Sequence, residues 1–428
     1  MQLNLKEYPI TGVEWGSETK YDCGKMIVSK DAILDFLEEN GDLENLEVTD
    51  LDIVQPNVPI RVINIFDVFP AHSRLGKNAS NYPGFLGPMQ AVGDGCSASL
   101  TNFSILAISS KPGRYNKVLD KDGESKEYSA YGDYFHIAVK AMPKNESMTS
   151  PEYYYYLKKI ALRIGTFLAQ KAEETATEEV AATVYEMTEL EEKKPRVVFI
   201  CMLAALQNWE KGEAILYGND LENMLPTILH PNELLDGAMV AQNFNLGVDT
   251  YSFQKNAIIN ELYSRHGEEI EFGGVVAVTS HITREARERS VQMTVKLACD
   301  TLKADMAILN KVGGGIPESD VLMTIEELEK RGVKTSAVMW SHQGNGTIED
   351  ILTAYSPVED ALVSIGINDA AVTLPEQKEV VGGEFLNPLS DDPDAKPQPA
   401  KEEVTVRFRE ICGAINQLGS SKVCMLEI

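Results

Sequence analysis

Two kinds of hydrophobic pattern divide this chain. In residues 1–150, short apolar or alternating runs such as VPIRVINIFDVF and YFHIAVKAM are bounded by Gly, Pro, Asn and Asp, a pattern typical of β-strands. One helical pattern, DAILDFLEEN, interrupts them directly after Ser29, a residue type that caps helix N-termini. The pattern therefore predicts a β-rich N-terminal domain over residues 1–150.

A long amphipathic helix is predicted next, within residues 151–194. Its apolar side chains, among them Leu157, Ile160 and Ile164, recur at helical spacing, and charged residues occupy the opposite face. Four consecutive tyrosines, residues 153–156, point in too many directions on a helix to form one aromatic cage. We therefore predict that they pack in the core or at an interface, and that the Glu- and Ala-rich remainder is the solvated end of the helix or a linker.

The second half of the chain alternates between two patterns. Near-continuous apolar runs, such as RVVFICML, FGGVVAVTS and TSAVMW and a shorter one at residues 213–218, are separated by amphipathic helical stretches. This alternation predicts the α/β fold class, with a doubly wound, mostly parallel α/β domain over residues 195–378. The acidic, proline-rich residues 379–403 are predicted to form an exposed or disordered excursion, and residues 404–428 a C-terminal element.

Composition narrows the classes of partner. The net charge of −26 argues against nucleic acid and anionic lipid, because both are bound by clustered Lys and Arg. The six cysteines are scattered without a CxxC pair, so neither a disulfide framework nor a metal site is predicted. The N-terminus does not look like a leader, and no apolar run approaches about 18 residues. A cytoplasmic protein that does not enter a membrane is predicted.

One stretch, residues 225–267, carries a specific motif: LPTILHPNELLDGAMVAQNFNLGVDTYSFQKNAIINELYSRHG. This signature segment closely resembles the precursor subunit of component B of the glycine, sarcosine and betaine reductases, the amine-cleaving reductases of anaerobes that ferment amino acids. The glycine-rich residues 81–100 share the resemblance, which runs in patches over nearly the whole chain. It implies a subunit of a multicomponent oxidoreductase that works in a hetero-oligomer.

The chain departs from the glycine-type members of that family at one position. In those members the residue after the asparagine of this segment is a cysteine. Its thiol attacks the preceding carbonyl, the chain breaks, and a pyruvoyl group remains. Here Asn243 is followed by Phe244, and no cysteine occurs between Cys201 and Cys299. A phenyl ring cannot attack a carbonyl, so the chain is predicted to stay in one piece, with no pyruvoyl group and no other cofactor of its own.

This departure favours a quaternary ammonium substrate. A pyruvoyl carbonyl activates primary and secondary amines by condensing with their nitrogen, whereas a trimethylammonium group has no lone pair and cannot condense. Aromatic faces hold such a cation instead. Residues on the signature segment, at predicted strand ends or in the glycine-rich segment are therefore predicted to bind the substrate: Asn243, Phe244, Tyr251, Phe253, Trp209, Trp340, Tyr82 and Phe85.

Arg74 is a further candidate, because a guanidinium pairs well with a substrate carboxylate. A solvated loop is the alternative interpretation of its polar surroundings. No Ser/His/Asp arrangement, pair of catalytic acids or metal-ligand cluster identifies a catalytic residue in the sequence.

By resemblance, the chain is predicted to position glycine betaine in component B of betaine reductase, beside a selenoprotein subunit. The carboxymethyl group would pass to the selenocysteine of selenoprotein A, trimethylamine would leave, and component C would form acetyl phosphate. Selenocysteine would therefore reside on partner subunits. Two alternatives stay open: a reductase subunit for another N-blocked amino acid, and a catalytically silent scaffold or regulatory paralogue in which Phe244 marks lost catalysis.

Overall fold

The structure of the chain is a computed structural model. It describes residues 1–111, 117–208, 212–243, 247–341, 352, 362–386, 396–421 and 426–427. Within these residues, a β-rich N-terminal half is followed by a half built on a mainly parallel sheet. This arrangement confirms the predicted α/β class.

The N-terminal half contains three sheets among the described residues. Its strands are β1 (Gln2–Pro9), β2 (Gly12–Trp15), β3 (Lys20–Asp22), β4 (Lys25–Val28), β5 (Leu46–Val54), β6 (Ile60–Phe69), β7 (His72–Leu75), β8 (Gly95–Thr101), β9 (Phe103–Ser109), β10 (Lys117–Asp120), β11 (Phe135–Pro143) and β12 (Ala182–Glu186). Its helices are α1 (Lys30–Glu39), a 3-10 turn (Glu124–Tyr128) and α2 (Ser150–Thr175). The strand orders are β12-β1-β8-β7, β10-β6-β9-β11-β5 and β2-β4-β3.

Helix α2 is the central helix of this half. A capping box fixes its start, since the Thr149 side chain accepts the N–H of Glu152 and the Glu152 side chain accepts the N–H of Thr149. Its apolar face packs against β7 and β9, and Tyr153 and Leu157 on that face are fully buried. The helix predicted from hydrophobic spacing is therefore present, with its first turns held firmly in place.

The C-terminal half is built around one sheet. Its strands are β13 (Arg196–Ala205), β14 (Thr227–Leu229), β15 (Glu271–Ser280), β16 (Met306–Asn310), β17 (Lys334–Ser341), β18 (Leu362–Ile367), β19 (Ala371–Leu374), β20 (Glu379–Val381), β21 (Phe385–Leu386), β22 (Gln398–Pro399), β23 (Val404–Arg407) and β24 (Leu426–Glu427). Its helices are α3 (Pro231–Leu235), α4 (Thr250–Gln254), α5 (Ala257–Arg265), α6 (Arg284–Lys296) and α7 (Ile316–Glu329), with short turns at Leu206–Asn208, Leu297–Thr301 and Phe408–Glu410.

Helices cover both faces of this sheet, whose order is β14-β15-β13-β16-β17-β18-β24. The five central strands pair in parallel, and β14 and β24 are antiparallel edges. Val197 and Ile308 line a groove with α5, whereas Ile200 and Leu309 line a cavity with α6 and α7. Because side chains alternate between the faces of a strand, α5 lies on one face and α6 and α7 on the other. The sheet is doubly wound, as predicted.

The prediction of a strand at residues 213–218 is wrong. The N–H of Ile215 donates to the carbonyl of Asn219 at 2.9 Å, which closes a tight turn. Tyr217 and Gly218 in this turn both have positive φ angles, 50° and 73°. That backbone region is incompatible with an extended strand, so the apolar run becomes a turn.

The glycine-rich residues 81–100 pack against this turn. A Cβ atom on Gly84 would lie 2.2 Å from the carbonyl oxygen of Tyr217, and one on Gly218 would lie 2.4 Å from the carbonyl oxygen of Gly84. The two backbones approach so closely that only glycine fits at both positions. Gly84 is therefore needed for a contact within the chain itself.

The acidic residues 379–403 are tied to the N-terminal half at both of their described ends. Strand β20 pairs in parallel with β6. The guanidinium of the buried Arg61 donates from Nη1 to the carbonyls of Ala400 and Glu402, at 2.9 and 2.8 Å. These ends are hydrogen-bonded to the rest of the structure, while most of their described side chains are exposed. Residues 387–395 lie outside the described residues.

Candidate functional site at the signature segment

The signature segment crosses the carboxyl ends of the parallel strands. The side-chain amide of Gln242 exchanges two hydrogen bonds with the backbone of Ala205 at the end of β13, at 3.1 and 3.0 Å. Farther along, the carbonyl of Gly247 accepts the N–H of Gln417 at 2.6 Å. A Cβ on Gly247 would lie 3.1 Å from the ring of Trp340, near the end of β17. Ligands of doubly wound sheets bind at this edge.

Thr250 fastens the segment to the N-terminal half. Its hydroxyl accepts the N–H of Ala241 at 3.0 Å and donates to Oδ2 of Asp67 on β6 at 2.6 Å. Its N–H donates to Oδ1 of Asp67 at 3.0 Å. Lys158 of α2 adds another tie, since its Nζ donates to the carbonyl of Ala241 at 2.6 Å. The two ends of the loop from 241 to 250 are thus held together.

Asp236 anchors the earlier part of the segment through a buried carboxylate. Oδ1 accepts the hydroxyl of Ser97 at 2.6 Å and lies 3.0 Å from Nε2 of His72. Oδ2 accepts the N–H of Gly93 at 2.8 Å and lies 2.9 Å from Nε of Arg74. The structure therefore pairs Arg74, the residue expected to bind a substrate carboxylate or lie in a solvated loop, with a carboxylate of the chain itself.

Burial raises the pKa of Asp67 to about 7, although the Lys158 ammonium opposes the rise and Asp249 adds to it. An unfolded aspartate titrates at about 3.9. The folded chain therefore holds this proton more tightly. The resulting contribution to stability is complete below about pH 4 and is lost as the pH rises from about 4 to about 7.

The variant Asp67→Asn is expected to flatten this pH dependence, because asparagine resembles the protonated carboxyl at every pH. Between about pH 5 and pH 7, the free energy of unfolding of the wild type should fall relative to that of the variant by about 1–2 kcal/mol. Urea unfolding at a series of pH values measures the difference. All other titrating groups are common to both proteins, so parallel pH profiles would exclude Asp67 as the source.

The predicted aromatic residues do not converge on one cavity in the part of the chain that the structure describes. Five of them are less than one tenth exposed and belong to three separate hydrophobic clusters: Tyr82 and Phe85 in the first, Tyr251 in the second, and Phe253 and Trp340 in the third. Trp209 and Phe244 lie outside the described residues.

Two of the buried rings have partners inside the chain. Tyr251 packs edge to face against Tyr131, with ring centroids 5.5 Å apart. The ammonium of Lys311 lies over the ring of Trp340, 4.8 Å from the ring centroid. Lys311 also forms a buried ion pair with Glu318. The ring of Trp340 thus already holds a cation of the protein.

Among the predicted residues that the structure describes, Asn243 lines a pocket. A pocket of about 350 Å³ opens between the first turns of α2 and the residues that follow β13. It is lined by Pro151, Glu152, Tyr155, Tyr156, Lys158, Gly212, Glu213, Ala214 and Asn243. This volume lies at the lower end of the range of about 300–1,000 Å³ that is typical of small-molecule sites.

The floor of this pocket is polar and buried. Lys158, Glu213 and Asn243 are 2%, 8% and 7% exposed. Nζ of Lys158 lies 3.3 Å from Oε1 of Glu213, and Glu213 also accepts the backbone N–H of Asn243. Helix α2, the turn after β13 and the signature segment therefore meet in one ion-paired group.

Apart from Asn243, the residues that line this pocket were not predicted from the sequence. Tyr153 and Tyr154 lie in the core, as predicted for the tyrosine run, whereas the half-buried Tyr155 and Tyr156 line the pocket. Successive helical residues rotate by about 100°, so four of them cannot all face inward. Lys158 could have been predicted from the sequence, since it is a lysine on the apolar face of an amphipathic helix.

A second, larger groove lies at the opposite end of the sheet. It measures about 850 Å³, lies beside α5, and is lined by residues at the starts of β16 and β17, such as Met306 and Lys334. These are the amino ends of the strands. Because ligands of doubly wound sheets bind at the carboxyl ends, this groove is not the candidate substrate site.

The described residues offer binding groups, and the pKa of each partly exposed or exposed thiol is raised, by burial at Cys96 and Cys299 and by the neighbouring Glu178 carboxylate at Cys23. Among the described residues, no three His, Cys, Asp or Glu side chains are gathered so that they could hold a metal ion. Burial raises the pKa of the thiols of Cys201 and Cys412, which makes both unreactive. No described helix combines the length and apolar character needed to cross a membrane.

Comparison of the sequence with known proteins identifies a family and several relatives. The family described as glycine/sarcosine/betaine reductase component B subunits matches residues 1–425. The chain is similar to the glycine reductase complex component B subunits alpha and beta of Peptoclostridium acidaminophilum, at 26% identity over 98% of each chain. It is also similar to two proteins of the same organism. Identity is 27% to betaine reductase complex component B subunit alpha, over 89% of this chain and 88% of the relative, and 23% to sarcosine reductase complex component B subunit alpha, over 89% of each. No solved structure matches the chain.

Proposed function

Because the chain belongs to the family of glycine/sarcosine/betaine reductase component B subunits, we propose that it is the substrate-binding subunit of a betaine reductase component B. In this role it is one part of a hetero-oligomeric, amine-cleaving oxidoreductase and lies beside a selenoprotein subunit. It holds glycine betaine while selenoprotein A accepts the carboxymethyl group and component C forms acetyl phosphate. Selenocysteine belongs to the partners in this scheme.

The observation that carries the proposal is that Phe244 directly follows Asn243. Identities of 27% and 26% to the betaine and glycine reductase relatives do not separate the two substrates. A pyruvoyl group formed from a cysteine at position 244 does not fit this chain, since phenylalanine offers no atom for the acyl shift. Without that carbonyl, a primary or secondary amine cannot be captured by condensation, whereas a quaternary amine needs no such capture.

The bond changes in the proposed reaction are simple. A selenolate of the partner attacks the methylene carbon of betaine, the carbon–nitrogen bond breaks, and trimethylamine leaves with the bonding electron pair. The nitrogen already carries its positive charge, so this chain need not supply a proton to the leaving group. Its contribution is to hold a near-attack geometry, which is worth up to about 7–11 kcal/mol of the barrier.

The chain is expected to remain covalently intact. Denaturing mass spectrometry should show one species at the full mass of 47.2 kDa, because no nucleophile follows Asn243. A hydrazine-type carbonyl reagent should leave it unlabelled. The glycine reductase relative, whose name gives it subunits alpha and beta, is the parallel sample. Two fragments meeting near position 244, or a labelled chain, would contradict the prediction.

A further inference from the structure

Two tyrosine rings form one wall of the pocket beside Asn243. The ring centroids of Tyr155 and Tyr156 are 5.4 Å apart and the ring planes are inclined at 71°. Both side chains are half-buried and line the cavity. They stand on the first turns of α2, which the capping box of Thr149 and Glu152 fixes. The wall is therefore aromatic and faces a space large enough for a small ligand.

The charges around this wall favour a cation. Glu152 is exposed at the rim, and hydrogen bonds from the side chain and backbone of Thr149 lower the pKa of its carboxyl, so that it is ionised at neutral pH. Lys158 and Glu213 neutralise each other on the floor, where Nζ and Oε1 are 3.3 Å apart. The described lining residues thus carry a net charge of minus one.

We propose that the rings of Tyr155 and Tyr156, with Glu152 at the rim, hold the trimethylammonium group of the substrate. The identity of the substrate rests on the proposed function, whereas the cation site follows from the lining of the pocket. A methylated ammonium spreads its charge over apolar groups and has no N–H to donate, so aromatic faces and one carboxylate stabilise it without hydrogen bonds. Asn243 of the signature segment borders the same pocket, beside the ion-paired Lys158 and Glu213 on its floor.

This assignment moves the aromatic cage from the signature segment to α2. The sequence predicted the cage around residues such as Tyr251 and Trp340, whose rings are buried against internal partners. The tyrosines of α2 combine an accessible face with a cavity of suitable size. The signature segment contributes the adjoining wall through Asn243.

The test is isothermal titration of the full-length chain, purified with its accompanying subunits, with betaine, tetramethylammonium and 3,3-dimethylbutyrate. The last compound has the shape of betaine without the positive charge. Tyr155→Leu and Tyr156→Leu should each weaken the binding of betaine and tetramethylammonium by about three- to thirtyfold. Tyr155→Phe and Tyr156→Phe keep the ring and should stay within about twofold of the wild type. Binding of 3,3-dimethylbutyrate should be weak throughout.

The charge is tested separately at Glu152. Glu152→Gln retains the capping hydrogen bonds and should lower the affinity for tetramethylammonium severalfold. The matched control is Glu174→Gln on the same helix, whose exposed side chain pairs with Lys171 and should have no effect.

The outcomes separate the two proposals. If trimethylamine is released but both Tyr→Leu variants bind betaine as tightly as the wild type, the proposed pocket is wrong and the proposed function still holds. Ring-dependent binding of tetramethylammonium without turnover of betaine would support the pocket and overturn the function. A chain that binds neither cation would overturn the pocket outright.

Discussion

Replacement of Asp236 by alanine is expected to destabilise the chain by about 3–5 kcal/mol, because it removes the carboxylate from a buried ion pair. The side chain of Asp236 is 0% exposed, and those of His72 and Arg74 are 1% and 10% exposed. Without the carboxylate, the Arg74 guanidinium would stay buried beside His72 with no countercharge. The loss should appear as a lower urea midpoint, and Asp236→Asn should lie between the wild type and the alanine variant.

The matched control is an exposed ion pair in the same chain. Arg284 and Glu288 on α6 form a pair at 2.7 Å with side chains 85% and 54% exposed. Glu288→Ala should cost less than about 1 kcal/mol, because water solvates both partners when the pair is broken. If Asp236→Ala were no more destabilising than Glu288→Ala, the carboxylate would not be the anchor of the signature segment. Arg74 would then be available again as a candidate for the substrate carboxylate.

Betaine is expected to be cleaved in strong preference to sarcosine and glycine when this chain is combined with its partner components. The ammonium of glycine has three N–H donors and that of sarcosine two, and aromatic faces satisfy none of them. An unsatisfied buried donor costs about 1–3 kcal/mol. The value of kcat/KM for betaine should therefore exceed that for glycine by at least about a hundredfold, and that for sarcosine by at least about thirtyfold.

The measurement compares release of trimethylamine, methylamine and ammonia from the three substrates. The same preparation of partner components must serve all three reactions, so that only the substrate changes. Equal efficiency with glycine would show that the link from Phe244 to quaternary ammonium chemistry is wrong, although the chain would still belong to the family. Absence of all three amines in an assembled complex would favour a scaffold.

Local periodicity was sufficient to predict most of the regular elements. Helix α2 and strands such as β13 and β15 appear where spacing and apolar runs place them, because these elements bury a face set by their own residues. The failure at residues 213–218 has a local cause as well. The apolar run meets Tyr217 and Gly218, whose positive φ angles turn the chain back on itself, and hydrophobicity alone does not report a backbone angle.

Covalent chemistry at position 244 could be inferred from the sequence, because the ability of a side chain to attack a carbonyl is a property of its own atoms. Phenylalanine lacks that ability in any fold. The family resemblance was likewise carried by consecutive residues of the signature segment, and the match over residues 1–425 confirms it. These conclusions needed no knowledge of which residues meet in space.

Which distant side chains pair, and which of them line the candidate pocket, was decided by tertiary structure alone. Arg74 meets Asp236 across 162 positions and Lys158 meets Glu213 across 55, and no local pattern encodes such pairs. Accessibility follows the same rule, since Tyr154 and Tyr155 are adjacent in sequence but face the core and the pocket respectively. A ring binds a ligand only where neighbouring elements leave space beside it. Among the described residues, α2, the turn after β13 and the signature segment meet without filling the gap between them.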